Sequence, residues 1–274
     1  MSKNVLQIIA GIIFFIWAKW LASDELRPEL FGMAIGVAAA LIIEVLYFLY
    51  NERSFLCLYF NSMILKPNSE IRLSIAYLFK IECKGKYLLV KNSRFDTDTY
   101  QPVGGVYKYY HPEATNELNC MEIITDTSIE NDKKSEHDLR LKMTKRKHLR
   151  KFTKWFFGSE KRESDPWREF QEELVDSNIL PLEHFKYIYY DLIGQHFEPI
   201  HFDAYFKVDT FKYVDVYTPR YINQKQKNEV ENLLAMTSDD FIWVTEEEIK
   251  KKFSDDGKRI SDHAHKIFIT KKLS

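Results

Sequence analysis

Arg168-Glu169-Phe170-Gln171-Glu172-Glu173 is the segment of this chain whose residue types and spacing could do chemistry. On a helix, positions 169, 172 and 173 are related as i, i+3 and i+4, so three carboxylates share one face. Like charges stacked that closely destabilise a helix unless something neutralises them. A hard divalent cation does so. Mg²⁺ takes carboxylate oxygens and keeps waters to complete its octahedron, and it can bridge to phosphates and stabilise charge at phosphorus. Glu169, Glu172 and Glu173 are therefore candidate metal ligands, with Mg²⁺ as the cofactor. Arg168 can pin the carboxylate face through a bidentate pair. Glu-rich helices are also common as plain solvated faces, so a second element is needed to decide.

That element is Gly104-Gly105, a kink in the strand expected over Tyr100-Gln-Pro-Val-Gly-Gly-Val-Tyr. Paired glycines let backbone approach a ligand closely. Upstream, a strand starts near Leu73, Lys84-Gly85-Lys86 reads as a tight turn, and residues 87–91 read as the partner strand of a hairpin. Asp165-Pro166 opens the acidic helix, with Asp165 as cap and Pro166 in the first turn. Further strands are expected at 187–193, 204–208 and 241–244, and helices at 223–235 and 261–270. Strands mixed with a few helices, without regular alternation, indicate a mixed α/β sandwich.

The first fifty residues are of another kind. Apolar runs cover 5–18 and 30–49, joined by a short polar link at 23–29. A spanning helix needs roughly 20 apolar residues. The second run meets that, and the first does if it extends to Ala22 with Lys19 snorkelling. Trp17, Trp20, Tyr47 and Tyr50 lie near the run ends, as interfacial aromatics do. The short link makes the pair an all-α antiparallel hairpin with both chain ends on one side. A second run following at once disfavours a cleaved leader. Gly32 and Gly36 form a small-xxx-small pair suited to close helix packing. Glu44, inside the second run, would face a partner or a polar interface in an oligomer. The expected organisation is a transmembrane hairpin over 1–50, a connector over 51–70 and a nucleotide-binding domain over 71–274.

Net charge is −1, with a sequence pI of about 6.7, which argues against a DNA or RNA binder. The 142–154 stretch is locally basic; it reads as a solvated face, or as a surface for phosphates of lipid or nucleotide. Cys57, Cys83 and Cys120 show neither metal-ligand nor redox spacing and read as free thiols in a reducing cytosol. His263 and His265, two residues apart, fall on different helix faces.

A hairpin, then Pro-Val-Gly-Gly, then an Arg-Glu-x-x-Glu-Glu helix resembles the Nudix family. The family's box also asks for a Glu that falls on Glu160, and for glycines that here are Lys154 and Val175, with Asp176 next. Residues 87–91, 100–108, 138–142, 151–156, 162–174 and 240–249 together are similar to the SMODS-associated Nudix domain. That resemblance implies an α/β/α sandwich of Nudix type with Mg²⁺ on Glu169, Glu172 and Glu173. With two preceding transmembrane helices it implies an effector of CBASS, a bacterial anti-phage system in which a nucleotidyltransferase makes a cyclic oligonucleotide on infection. The domain would sense that messenger, for example a cyclic dinucleotide, and the helices would then disrupt the inner membrane, the soluble domain being cytosolic. Nucleotide-binding candidates are Tyr100, Tyr107 and Trp167 for base stacking, and Arg168, Gly104 and Gly105 for phosphates. Expected partners are the messenger, membrane lipid and further copies of the chain. The same residues admit an alternative, a membrane-anchored Mg²⁺-dependent hydrolase of nucleoside diphosphate derivatives, with Glu160 or Glu163 activating water.

Overall fold

The computed structural model describes residues 16, 19–20, 27–51, 53–92, 98–128, 135–158 and 160–268. The chain divides into two compact units, Met1–Phe60 and Asn61–Ser274. Apart from Ile16, the first apolar run lies outside the described residues, as do residues 23–26 of the link.

The second apolar run folds as one helix, α1 (Arg27–Asn51), followed by α2 (Arg53–Phe60). Its 25 residues extend to about 37 Å at the α-helical rise. Met33, Ile35, Ile42, Ile43, Leu46 and Tyr47 are each more than half exposed. Gly32 and Gly36 meet no described atom within 4 Å of an added Cβ, and Glu44 is partly exposed. Counting described side chains only, no helix is long and apolar enough to cross a membrane. The side chains of Leu30, Ala34 and Phe48 fall outside that set.

The second unit carries two sheets. Its elements in order are a π-helical turn (Asn61–Leu65), β1 (Ile71–Phe79), β2 (Glu82–Cys83), β3 (Lys86–Lys91), β4 (Thr99–Gln101), β5 (Gly104–Val106), α3 (Thr115–Cys120), β6 (Ile123–Thr125) and β7 (Arg140–Met143). There follow a 3₁₀ turn (Arg146–His148), α4 (Leu149–Gly158), α5 (Trp167–Phe170), a second π-helical turn (Gln171–Val175), α6 (Leu182–Phe185), β8 (Tyr189–Asp203), β9 (Val208–Arg220), α7 (Gln224–Ala235), β10 (Phe241–Val244), α8 (Glu246–Lys251), β11 (Arg259–Ile260) and a second 3₁₀ turn (Ala264–Phe268). One sheet has the order β6-β7-β1-β9-β8, with β5 also on β1; the other has β10-β3-β4-β11, with β2 on β3. A mixed α/β sandwich is what the sequence predicts.

Several local expectations change. The hairpin around Lys84-Gly85 closes on β2 rather than β1, because both edges of β1 are taken, one by β9 and the other by β7 and β5. The single strand expected over 100–107 splits between the sheets, breaking at Pro102, which cannot donate to a ladder. Strands expected at 187–193 and 204–208 are one long hairpin, β8 and β9, whose turn is 204–207. Asp209, Lys212 and Asp215 interrupt the apolar alternation of β9, and the fold supplies each with partners. The last helix is a 3₁₀ turn, and residues 269–270 lie outside the described residues.

Leu78, Leu89, Val214, Val216, Ile242 and Val244 meet between the sheets. On the opposite face of the larger sheet, Phe79 packs on Phe170 at 5.4 Å, and Tyr107 and Tyr213 each pack on Phe156 at 5.6 Å. The acidic helix is thus seated by aromatic residues on a sheet whose central strand is buried on both faces. The expected connector over 51–70 is divided between the units. Its second half is held by Arg146, which is 1% exposed and donates to Asn61 Oδ1 at 3.1 Å, Glu70 O at 3.1 Å and Asp209 Oδ2 at 2.7 Å. A buried guanidinium requires such partners.

Candidate functional site

The Asp165 carboxylate accepts from the Trp167 backbone N–H at 2.8 Å and from the Tyr190 hydroxyl at 2.6 Å. It therefore tethers the first turn of α5 from one position further out than expected: Pro166, not Asp165, is the cap residue, and Pro166 has no N–H to leave unsatisfied there. Asp165→Ala should lower stability by about 1 kcal/mol. The urea midpoint should fall at unchanged slope; an unmoved midpoint would show that the tether carries nothing.

Beyond Phe170 the helix widens into a π-helical turn, Gln171–Val175. The three glutamates accordingly diverge from the simple α-helical register. Glu169 is 6% exposed, whereas the Glu172 side chain remains 36% exposed. Glu173 reaches back to accept from the Gly104 N–H at 2.9 Å.

Arg168 ties this face together. Its Nε donates to Glu163 Oε1 at 3.0 Å and its Nη1 to Glu169 Oε1 at 2.6 Å. Nη2 donates to Val106 O at 3.0 Å and to Glu163 Oε2 at 3.3 Å. Glu172 lies 3.6 Å from Nη1. Burial works against the charge on Arg168, yet the bond it donates to Glu163 and the surrounding acidic groups raise its pKa. Burial pushes the Glu163 carboxyl up, and Arg168 and the Lys108 N–H only partly offset that.

The two glycines are there for packing. Gly104 has φ +150°, and a Cβ on it would stand 2.2 Å from the Tyr77 carbonyl oxygen. A Cβ on Gly105 would stand 2.0 Å from Glu169 Oε1. The close approach that the sequence assigns to a ligand is made by the acidic helix and by β1.

The family model of the SMODS-associated NUDIX domain matches residues 70–268, which take in both sheets and the Arg168–Glu173 helix. The chain belongs to that family. No curated protein and no solved structure matches it.

Nudix domains generally use a divalent metal such as Mg²⁺. In this family member the three glutamates, as arranged, do not fit one. Among the described residues no three acidic, His or Cys side chains gather as a ligand group. Arg168 already lies against Glu169 and Glu172, and the Gly104 N–H takes an oxygen of Glu173. Of the box positions outside the helix, Glu160 is exposed.

The nucleotide-binding candidates are also redistributed. Tyr100 is 2% exposed with its hydroxyl on Asp239 O, and Tyr107 is 1% exposed against Tyr77. Both are core rings with no face open for a base, Tyr107 being enclosed by Tyr77 and Phe156 and Tyr100 covered by Lys258. Every nitrogen of the Arg168 guanidinium has a protein partner. Trp167 keeps an accessible side while stacking on Phe170 at 5.5 Å.

Sequence reasoning overlooked a buried polar network on β8 and β9 of the SMODS-associated NUDIX domain. Asp215 accepts from Tyr107 at 2.7 Å, Tyr213 at 2.8 Å and Gln195 at 3.1 Å. Burial raises the Asp215 pKa and pushes Tyr217, 3.0 Å from the Tyr107 hydroxyl, up to about 12. The period-two spacing of Tyr213, Asp215 and Tyr217 was the available signal, since alternate strand residues share a face.

Proposed function

We propose that this chain is a membrane effector of CBASS whose Nudix-like domain binds a cyclic oligonucleotide without cleaving it. The observation that carries the reading is a Nudix-type acidic helix, in a family associated with nucleotide second-messenger systems, whose carboxylates are already engaged by Arg168 and the Gly104 N–H. A base would stack on the open side of Trp167. The apolar α1, with the first apolar run of the sequence, forms the transmembrane hairpin in the inner membrane, both chain ends in the cytosol. Its outward-facing aliphatic side chains need an apolar medium or partner. On messenger binding the chains associate, with Gly32, Gly36 and Glu44 at the new helix contacts, and the bilayer is disrupted. Binding must favour one assembly state over another for this to signal.

The test is thermal unfolding and light scattering of the full chain in detergent, with cyclic di- and trinucleotides, with and without Mg²⁺. A ligand at about 100-fold over its Kd adds roughly 2.7 kcal/mol of stability. For a domain of this size that is a Tm shift of about 5–10 °C. A selective shift with one nucleotide recovered intact, together with larger particles, supports the proposal. Turnover of a nucleoside diphosphate derivative, lost in Glu172→Gln, would replace it with the hydrolase. A shift without any change in particle size would reject the clustering step.

A further inference from the structure

Lys147, Arg150, Lys151 and Lys154 stand at i, i+3, i+4 and i+7, so they form one stripe along the first 3₁₀ turn and α4. All four are exposed. Leu149, Phe152, Thr153 and Phe156 face the other way and are buried. The remaining cations of the same basic run are used inside the fold: Lys142 by Asp126, Lys145 by Glu122, and Arg146 by Asp209. Among the described residues, none of the four stripe cations has a carboxylate at ion-pair distance, whereas nearby Lys161 pairs with Glu117 at 2.7 Å. Phe157, three residues past Lys154, continues the stripe with a ring that is 47% exposed.

The first residue of the stripe is bonded to the segment that leads along the chain to the apolar helix. The Lys147 N–H donates to Pro67 O at 3.0 Å, beside the Arg146 clamp on Asn61 and Glu70. Only residues 52–66 separate Pro67 from the end of α1. A convex helix face offers no concavity for a small nucleotide. Unpaired cations ending in an aromatic, on a short tether from an apolar helix, match an anionic lipid surface.

We infer that this stripe docks the domain on the anionic headgroups of the bilayer. The inference rests on the membrane reading proposed above. Each cation adds favourable energy near such a surface, and salt screens the attraction.

The full chain is reconstituted in nanodiscs of phosphatidylcholine, with and without phosphatidylglycerol, and its lysines are labelled with a water-soluble amine reagent. Labelling of Lys147, Lys151 and Lys154 should be about tenfold slower in the anionic discs. Lys225 and Lys227, exposed on α7, should label equally in both. High salt should restore labelling of the stripe. Arg150→Glu combined with Lys151→Glu should remove the protection at Lys147 and Lys154. Equal labelling in the two lipids overturns the inference while leaving the membrane reading intact. Protection by an added cyclic dinucleotide in neutral discs overturns it in favour of a nucleotide contact. A chain that enters neither disc overturns the membrane reading itself.

Discussion

Arg168→Met should destabilise the domain by about 3–5 kcal/mol, as expected when one partner of a buried charge cluster is removed. Glu163 and Glu169 are 8% and 6% exposed, and Arg168 is the cation bonded to both. Methionine fills the volume of the stem but leaves two buried carboxylates facing each other and the Val106 carbonyl without its donor. Arg168→Lys should recover little, because one ammonium cannot reproduce a fork that serves two carboxylates and a carbonyl at once. The loss should depend on pH with a defined sign. The Glu163 pKa is raised in the native state by burial, so above the unfolded carboxylate range the native state holds more proton than the unfolded one. Its contribution is therefore most favourable at low pH and declines as pH rises through the raised value. Removing Arg168 raises that value further, so the deficit of the methionine variant should shrink as pH falls from neutral toward about 5. Denaturant unfolding of both proteins at the two pH values measures this. A deficit under about 1 kcal/mol, or one that grows on acidification, would show that Arg168 is not the neutralising group.

Gly104→Ala should have an effect of similar size, about 3 kcal/mol or more, from a methyl group placed against backbone at a strained φ. At φ +150° an L side chain is already unfavourable, and the added carbon would stand 2.2 Å from the Tyr77 carbonyl oxygen and 2.9 Å from Leu78 Cα. Those atoms belong to β1, which is held by β9 on its other edge and cannot retreat. Gly105→Ala should cost less, about 1–3 kcal/mol, because the atom in its way is a carboxylate that can rotate at the expense of its Arg168 bond. The mechanisms separate in a double-mutant cycle. Glu169→Ala should partly relieve Gly105→Ala and leave Gly104→Ala unchanged. Simple additivity at Gly105 would argue that Glu169 does not fill the space beside it, and coupling at Gly104 would argue that its obstacle is not β1.

Both results concern stability, and that bears on how the site is understood. Gly104-Gly105 and Arg168-Glu169 read as ligand-facing features when only their types and order are known. In the fold they face each other. The Nudix-type helix uses its arginine and two of its three glutamates to seat itself on the sheet, leaving Glu172 and one side of Trp167 toward solvent.

Some of this was determined by the chain's local pattern. An Asp-Pro pair marks the start of the acidic helix, and the apolar run at 30–49 forms a helix, because these are properties of neighbouring residues; the common face expected of 169, 172 and 173 is lost in the π-helical turn. The family match over 70–268 likewise follows motifs that lie in order along the chain. The long hairpin of β8 and β9 was not legible, since its half-buried Asp209 and buried Asp215 carry no apolar signal and are accommodated by partners such as Arg146, Tyr107 and Tyr213. Nor was the fate of Tyr100 and Tyr107, whose burial depends on which sheet each half of one segment joins. Tertiary structure alone decided which carboxylates are buried. Whether a charge is neutralised by protein or left for a ligand depends on groups brought from distant parts of the chain, here Gly104 and Val106 to the acidic helix, and residue spacing holds no record of that approach.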